Sequence, residues 1–166
     1  MRLQHAGMSR GYAALRKGRH SLAGHAYLIT FATCGRRAHF SEPAVAFDAC
    51  RWLAARATWS DARLLAWVLM PDHWHGIVQL GTRAGLSEVV GKAKGRVARA
   101  IRLKHPHVGL VWQSGFHDTA LRGESQWVGA ARYIVANPVR AGVARRVGAY
   151  PYWDAVWLAD GVDLAR

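Results

Sequence analysis

Acidic side chains are scarce in this chain, cysteine is nearly absent, and no long uncharged apolar run occurs. Each shortage excludes something. Without a stretch of about 18 apolar residues there is no candidate membrane-spanning helix. The basic segment from Met1 to His20 lacks the apolar core of a secretory signal, so a soluble, cytoplasmic and nucleoid-associated protein is expected. Two cysteines, Cys34 and Cys50, form no C-x-x-C pair. That leaves neither a redox motif nor a thiolate metal site, and both are read as reduced, partly buried thiols. With 10 Asp plus Glu against 23 Lys plus Arg, the net charge is +13 and the pI near 11. Such an excess opposes compaction by self-repulsion unless a polyanion neutralises it, and nucleic acid is the commonest such partner.

What is present fits one domain. The chain has 166 residues, 51% of them apolar and 20% charged. A basic N-terminal arm (1–24), a core (25–138) and a C-terminal tail (139–166) are distinguished. Residues 25 to 33 alternate as a strand should. Ala44 to Thr58 carries Val45, Phe47, Ala49, Trp52, Leu53 and Arg56 in helical rhythm behind Pro43. Leu64 to Met70 is a continuous apolar run suited to a central strand, Pro71-Asp72 a tight turn, and His73 to Leu80 its antiparallel return. A second helix spans 86 to 104, a fourth strand falls within Leu110 to Leu121, and a third helix runs from Glu124 to Asn137. The order is that of an α+β, ferredoxin-like split β-α-β sheet with an additional C-terminal helix. The tail could pack back as a short element.

On the second helix Val90, Ala93, Val97, Ala100 and Ile101 share one face, with Lys92, Arg96 and Arg99 opposite. The basic face is either merely solvated or binds phosphate. An apolar side built of Val and Ala suits packing on a sheet; membrane-surface helices carry Trp, Phe or Leu there.

His73-Trp74-His75 puts two imidazoles on one face of a strand and an indole on the other. Two imidazoles a strand-pitch apart can hold a divalent ion. They can equally be ordinary histidines. Tyr133 and Asn137, four apart, stand on one face of the third helix, while Trp127, Ala131 and Ile134 form a core stripe and Gly129 and Ala130 leave room beside the tyrosine. Either these two supply a nucleophile and a further ligand, or Tyr133 is an amphipathic surface residue and Asn137 merely ends the helix before Pro138. His117 is read as a packing or hydrogen-bonding residue, and His105 and His107, flanking Pro106, as exposed loop residues.

Three segments carry a resemblance: Trp67 to His75, Trp112 to Asp118, and Arg132 to Gly142. In this order they resemble the signature blocks of the REP-associated tyrosine transposases, domesticated relatives of the single-tyrosine HUH transposases of small insertion sequences, from about Arg16 to Trp157. The resemblance implies a single HUH transposase domain with His73 and His75 as metal ligands and Tyr133 as nucleophile. The third ligand would be Asn137, where the insertion-sequence branch has Gln. It also implies Mg²⁺ or Mn²⁺ as cofactor and single-stranded DNA with a REP-like hairpin as partner, handled by a monomer or a homodimer. Arg16, Lys17, Arg19 and His20 would touch the hairpin's flank, and Lys92, Arg96 and Arg99 its backbone. The implied activity is strand cleavage and transfer through a 5′-phosphotyrosine. A catalytically inactive DNA-binding protein and a nuclease using activated water are the alternatives.

Overall fold

A computed structural model describes residues 21–158. Strand β1 (Ala26–Ala32) leads into α1 (Pro43–Ala54); β2 (Ala62–Met70) and β3 (His73–Leu80) form a hairpin; α2 (Leu86–Lys104) precedes β4 (His117–Leu121). Then come α3 (Glu124–Val135), the single turn α4 (Asn137–Arg140) and β5 (Trp153–Ala155). The strands make one sheet in the order β4-β1-β3-β2-β5, antiparallel throughout. The first four follow the ferredoxin-like pattern expected from the sequence. The fifth comes from the tail, where three residues pair with β2. Tyr150 anchors that return by donating its hydroxyl hydrogen to the Leu69 carbonyl at 2.6 Å.

Period-two alternation sorts the strands into two faces, each with its own core. Phe31, Trp67, Leu69, Trp74 and Val78 pack with α1 and α2, whose buried members include Ala49, Leu53, Val90, Ala93, Val97 and Ile101. Ala66, Val68, Met70 and Ile77 pack on the other face with Ala131, Ile134 and Val135 of α3 and with Tyr150 and Ala155 of the tail. Trp74 lies at the centre of the first core, fully buried, stacked between Phe31 (ring centroids 4.7 Å apart) and Trp59 (5.3 Å). Its indole also lies over the backbone of Gly76, where a Cβ would overlap the ring.

Three expectations need correction. The first helix ends at Ala54, not Thr58, because Ala55 turns extended. The Thr58 hydroxyl and the Trp59 indole N–H then take the Trp52 and Leu53 carbonyls that a longer helix would have used. Its apolar rhythm is not all core either: Phe47 and Trp52 are 62% and 47% exposed. Third, His105 is buried, its Nε2 2.7 Å from Asp48, whose other oxygen accepts from Lys104 at 2.8 Å. His107 is exposed as expected, paired with Glu42. The hydrogen bonds from Lys104 and His105 hold the Asp48 carboxyl below its usual 3.8.

Three expected outcomes follow. Gly76→Ala should cost about 3 kcal/mol in urea unfolding, because the new methyl must displace a close-packed ring. The exposed helical Gly95, with open space beside it, should instead gain about 0.5–1 kcal/mol on mutation to Ala. Asp48→Asn should lose about 2 kcal/mol near neutral pH. Since the folded carboxyl is the stronger acid, that difference persists above the ordinary carboxylate pKa and closes as the pH falls through the depressed one. A gap that stayed constant into strong acid would contradict the assignment.

Candidate active site

The Pro71-Asp72 turn is clamped to the end of β1. The Thr33 amide and hydroxyl both donate to the Asp72 carbonyl (2.9 and 3.0 Å), and the Phe40 amide donates to that of Pro71 (3.0 Å). The hairpin therefore starts at a fixed point, and β3 begins directly with His73. Across the ladders His73 pairs with Met70 and Ala32, and His75 with Val68 and Thr30. Cross-strand partners share a face. Both imidazoles thus lie on the side that α3 covers, opposite Trp74, with ring centroids 4.7 Å apart and planes nearly perpendicular.

Each imidazole is anchored through Nδ1. Asp72, which accepts only, sits 2.5 Å from His73 Nδ1, so that nitrogen is the donor and Nε2 points away from the carboxylate. His75 Nδ1 lies 2.7 Å from the Thr30 hydroxyl. Burial alone would raise the Asp72 carboxyl; the hydrogen bond from His73 and the charges of His73 and Arg36, whose guanidinium is 3.3 Å away, outweigh it and bring it below the usual range. His75 is pushed down to about 4, mainly by burial and then by the neighbouring charges of His73 and Arg36. It is therefore neutral at physiological pH, the form that can donate a lone pair.

Tyr133 stands on the outer side of α3, 51% exposed beside the buried Ile134, with the Arg140 guanidinium 4.1 Å over its ring. Asn137, half-buried, opens α4 one turn later. The expected long third helix is thus broken: it ends at Val135, and Pro138 starts a new turn in which its missing N–H costs nothing. Helix α3 itself packs on β2 and β3. The structure thus brings the two histidines together and lays the tyrosine-bearing helix over their face of the sheet.

His117 is on the same face, across β1 from His75, since both pair with Thr30. It is exposed, which removes the packing half of the expectation that it packs or hydrogen-bonds. Of the expected DNA contacts, Lys92 pairs with Glu88, Arg99 is exposed, and Arg96 donates to the carbonyls of Ala57 and Thr58 and to Ser60. Arg16, Lys17, Arg19 and His20 lie outside the described residues. Sequence reading missed Thr30, Asp72 and Arg140 as partners of the site. A carboxylate directly before His73 and a hydroxyl on the histidine face of β1 were the available signals.

Among the described residues no three or more His, Cys, Asp or Glu side chains are placed to hold a metal ion. None of the described helices is long and apolar enough to cross a membrane.

The model of the family described as "Transposase IS200 like" matches residues 21–137. The chain belongs to that family. A member of the IS200-like transposase family is a DNA-processing enzyme, and the matched span contains His73, His75, Tyr133 and Asn137. In fold the chain is similar to a REP-associated tyrosine transposase whose structure was solved bound to a REP hairpin. The two share 20% identity over 89% of this chain and 88% of that one, with a TM-score of 0.69. A candidate transposase from Deinococcus radiodurans R1 is 24% identical over 72% of this chain and 95% of its own, with a TM-score of 0.47. No curated protein matches the sequence significantly.

In the metal-free chain the His75 ring signals should titrate by NMR with a midpoint near 4. The unfolded imidazole, with its ordinary pKa of 6.5, binds a proton first, so stability should fall as the pH drops from about 6.5 toward 4. A His75 midpoint near 6.5 would contradict the buried geometry.

Proposed function

We propose that this IS200-like transposase cuts and rejoins single-stranded DNA next to REP-type hairpins, with Tyr133 as a covalent nucleophile and a divalent ion on His73, His75 and Asn137. The observation that carries this reading is the pair of imidazoles, each anchored at Nδ1, on the sheet face beneath the helix that presents a half-exposed tyrosine. Anchoring of the second ring nitrogen is how proteins orient metal-bound histidines and fix their tautomer. With His73 Nδ1 engaged by Asp72 and His75 Nδ1 by the Thr30 hydroxyl, Nε2 of each ring is the nitrogen that would ligate. The donor set suits the ion: two neutral imidazoles and an amide oxygen accept Mn²⁺ or Mg²⁺ and leave its charge undiminished. When bound, the ion supplies Lewis-acid polarisation of the scissile phosphate.

The chain's own residues do the rest. Tyr133 Oη forms a bond to phosphorus as the bond to the 3′-oxygen breaks; the phenol gives up its proton and the departing oxygen gains one. The 5′ side stays on Tyr133 as a phosphodiester of similar energy, so a 3′-hydroxyl can reverse the step without ATP. Arg140, lying over the Tyr133 ring, holds that ring and adds positive charge where a phosphate must approach. Lys92, Arg96 and Arg99, with Arg16, Lys17, Arg19 and His20 of the arm, would neutralise the DNA backbone.

Incubation with labelled hairpin oligonucleotides and Mn²⁺, resolved on a denaturing gel, tests this directly. A protein-linked DNA band that Tyr133→Phe and EDTA each abolish is expected. Free cleavage products without that band would mean water is the nucleophile, and neither product would leave a binding protein. Thr30→Val and Asp72→Asn should each weaken Mn²⁺ binding in calorimetry by about 10- to 100-fold while leaving the fold intact. Unchanged Mn²⁺ affinity in both would remove the anchoring argument.

A further inference from the structure

On the side of the sheet away from the histidines, α1 and α2 leave an open groove of about 400 Å³ between them, lined by Trp52, Thr58, Arg96, Arg99, Ala100 and Leu103 together with Ala57. Two large apolar side chains face solvent there: Trp52 is 47% exposed and Leu103 75%. A stable fold gains nothing by exposing an indole and a leucine side by side, and the core beneath them is already closed by Leu53, Val97 and Ile101. The polar lining is of one sign. Among the described residues Arg99 has no partner and no carboxylate lines the groove.

Arg96 is held in place. Its Nη1 donates to the carbonyls of Ala57 and Thr58 and to the Ser60 hydroxyl, which fixes the guanidinium plane. Its remaining N–H groups have no bond to the described residues. A guanidinium oriented in advance loses little freedom on meeting a phosphate. Beyond Ser60 a second groove of about 330 Å³ continues the basic surface with Arg56, Arg63 and Arg83. Its carboxylate, Asp61, is already occupied by the Arg83 and Ala84 amides and the Arg83 side chain.

An exposed indole beside arginines, continued by a basic track, is the chemistry that binds single-stranded nucleic acid: bases stack on the aromatic ring while phosphates meet the cations. The geometry points to this groove as a second DNA site, in which an unpaired nucleotide of the substrate stacks on Trp52 against Leu103 with its phosphate on Arg96 and Arg99, and the strand continues along Arg56 and Arg63. It rests on the reading of the chain as acting on single-stranded DNA, and it adds a surface that holds the strand away from the point of cleavage.

The test is binding alone, on the full chain carrying Tyr133→Phe with EDTA present, so that it is independent of the cutting chemistry. The probes are a fluorescein-labelled oligo-dT strand and a blunt DNA hairpin without unpaired flanks. Trp52→Ala should weaken oligo-dT binding about tenfold or more, the scale of one lost base stack, with Trp52→Phe retaining most of it. Arg99→Gln should lower the slope of log affinity against log salt by about 0.7 for the single strand. The blunt hairpin should bind the Trp52 variants and their parent alike, and oligo-dT carrying 5-iodouracil should crosslink to Trp52 on illumination. Oligo-dT binding unchanged by Trp52→Ala overturns the proposal. So does an equal loss for the blunt hairpin, which would make the groove a duplex site. Sedimentation showing a dimer that Trp52→Ala dissociates would assign the groove to a second copy of the chain and likewise overturn it. A failed covalent-adduct experiment together with these expected binding results would reject the cleavage mechanism and leave the groove standing.

Discussion

Burial of one indole decides where the chemistry can be. Trp74 sits between Phe31 and Trp59 with Gly76 open beneath its ring. Because side chains alternate along a strand, committing Trp74 to the helical face commits His73 and His75 to the other. A slip of one residue would expose the largest fully buried class of side chain and drive two imidazoles into an apolar core. Removing such a buried Trp costs about 3–5 kcal/mol, and each stacked pair adds roughly 1 kcal/mol beyond area burial. The register of the histidines is thus fixed by packing on the opposite face of the sheet.

From that constraint the site builds outward with few additional parts. The clamped Pro71-Asp72 turn sets the first residue of β3, and the same aspartate orients the first histidine through its side chain. Strand β1 supplies Thr30 to orient the second. Helix α3 lies over this face because Ala131, Ile134 and Val135 fill the second core, and that packing leaves Tyr133 on the solvent side. The tail closes the same core: Tyr150 and Ala155 pack beside α3, and β5 covers the outer edge of β2. What a reader of the alignment of elements would treat as an appendage is part of what seats the tyrosine helix.

Much of this was legible because strong periodicity and strong packing agreed. The β2–β3 hairpin, α2 and the placement of Trp74 opposite the histidines follow from alternation and from the Pro-Asp turn alone. The departures occur where long-range contacts compete with local pattern. Helix α1 stops four residues early because Thr58 and Trp59 reach back to its last carbonyls, a choice no helical wheel contains. His105 looked like a loop residue beside Pro106, yet Asp48, 57 positions away, buries it. Trp52 falls in the helical rhythm yet faces solvent, because α1 presents Ala49 and Leu53 inward instead. For the site, the imidazole pair could be read from its spacing. Its supports, Thr30 from another strand and Arg140 from a new turn, required knowing which strands are neighbours and where α3 breaks.

The central claim is that an ion links the anchored imidazoles to Asn137 within reach of the tyrosine. Anomalous diffraction from crystals of the full chain soaked in Mn²⁺ measures this without reliance on turnover. The account predicts one strong peak within bonding distance of Nε2 of His73, Nε2 of His75 and the Asn137 side-chain oxygen, with the Tyr133 hydroxyl facing it. A peak bound elsewhere, or an ion on the histidines with Tyr133 directed away across the helix, would contradict it.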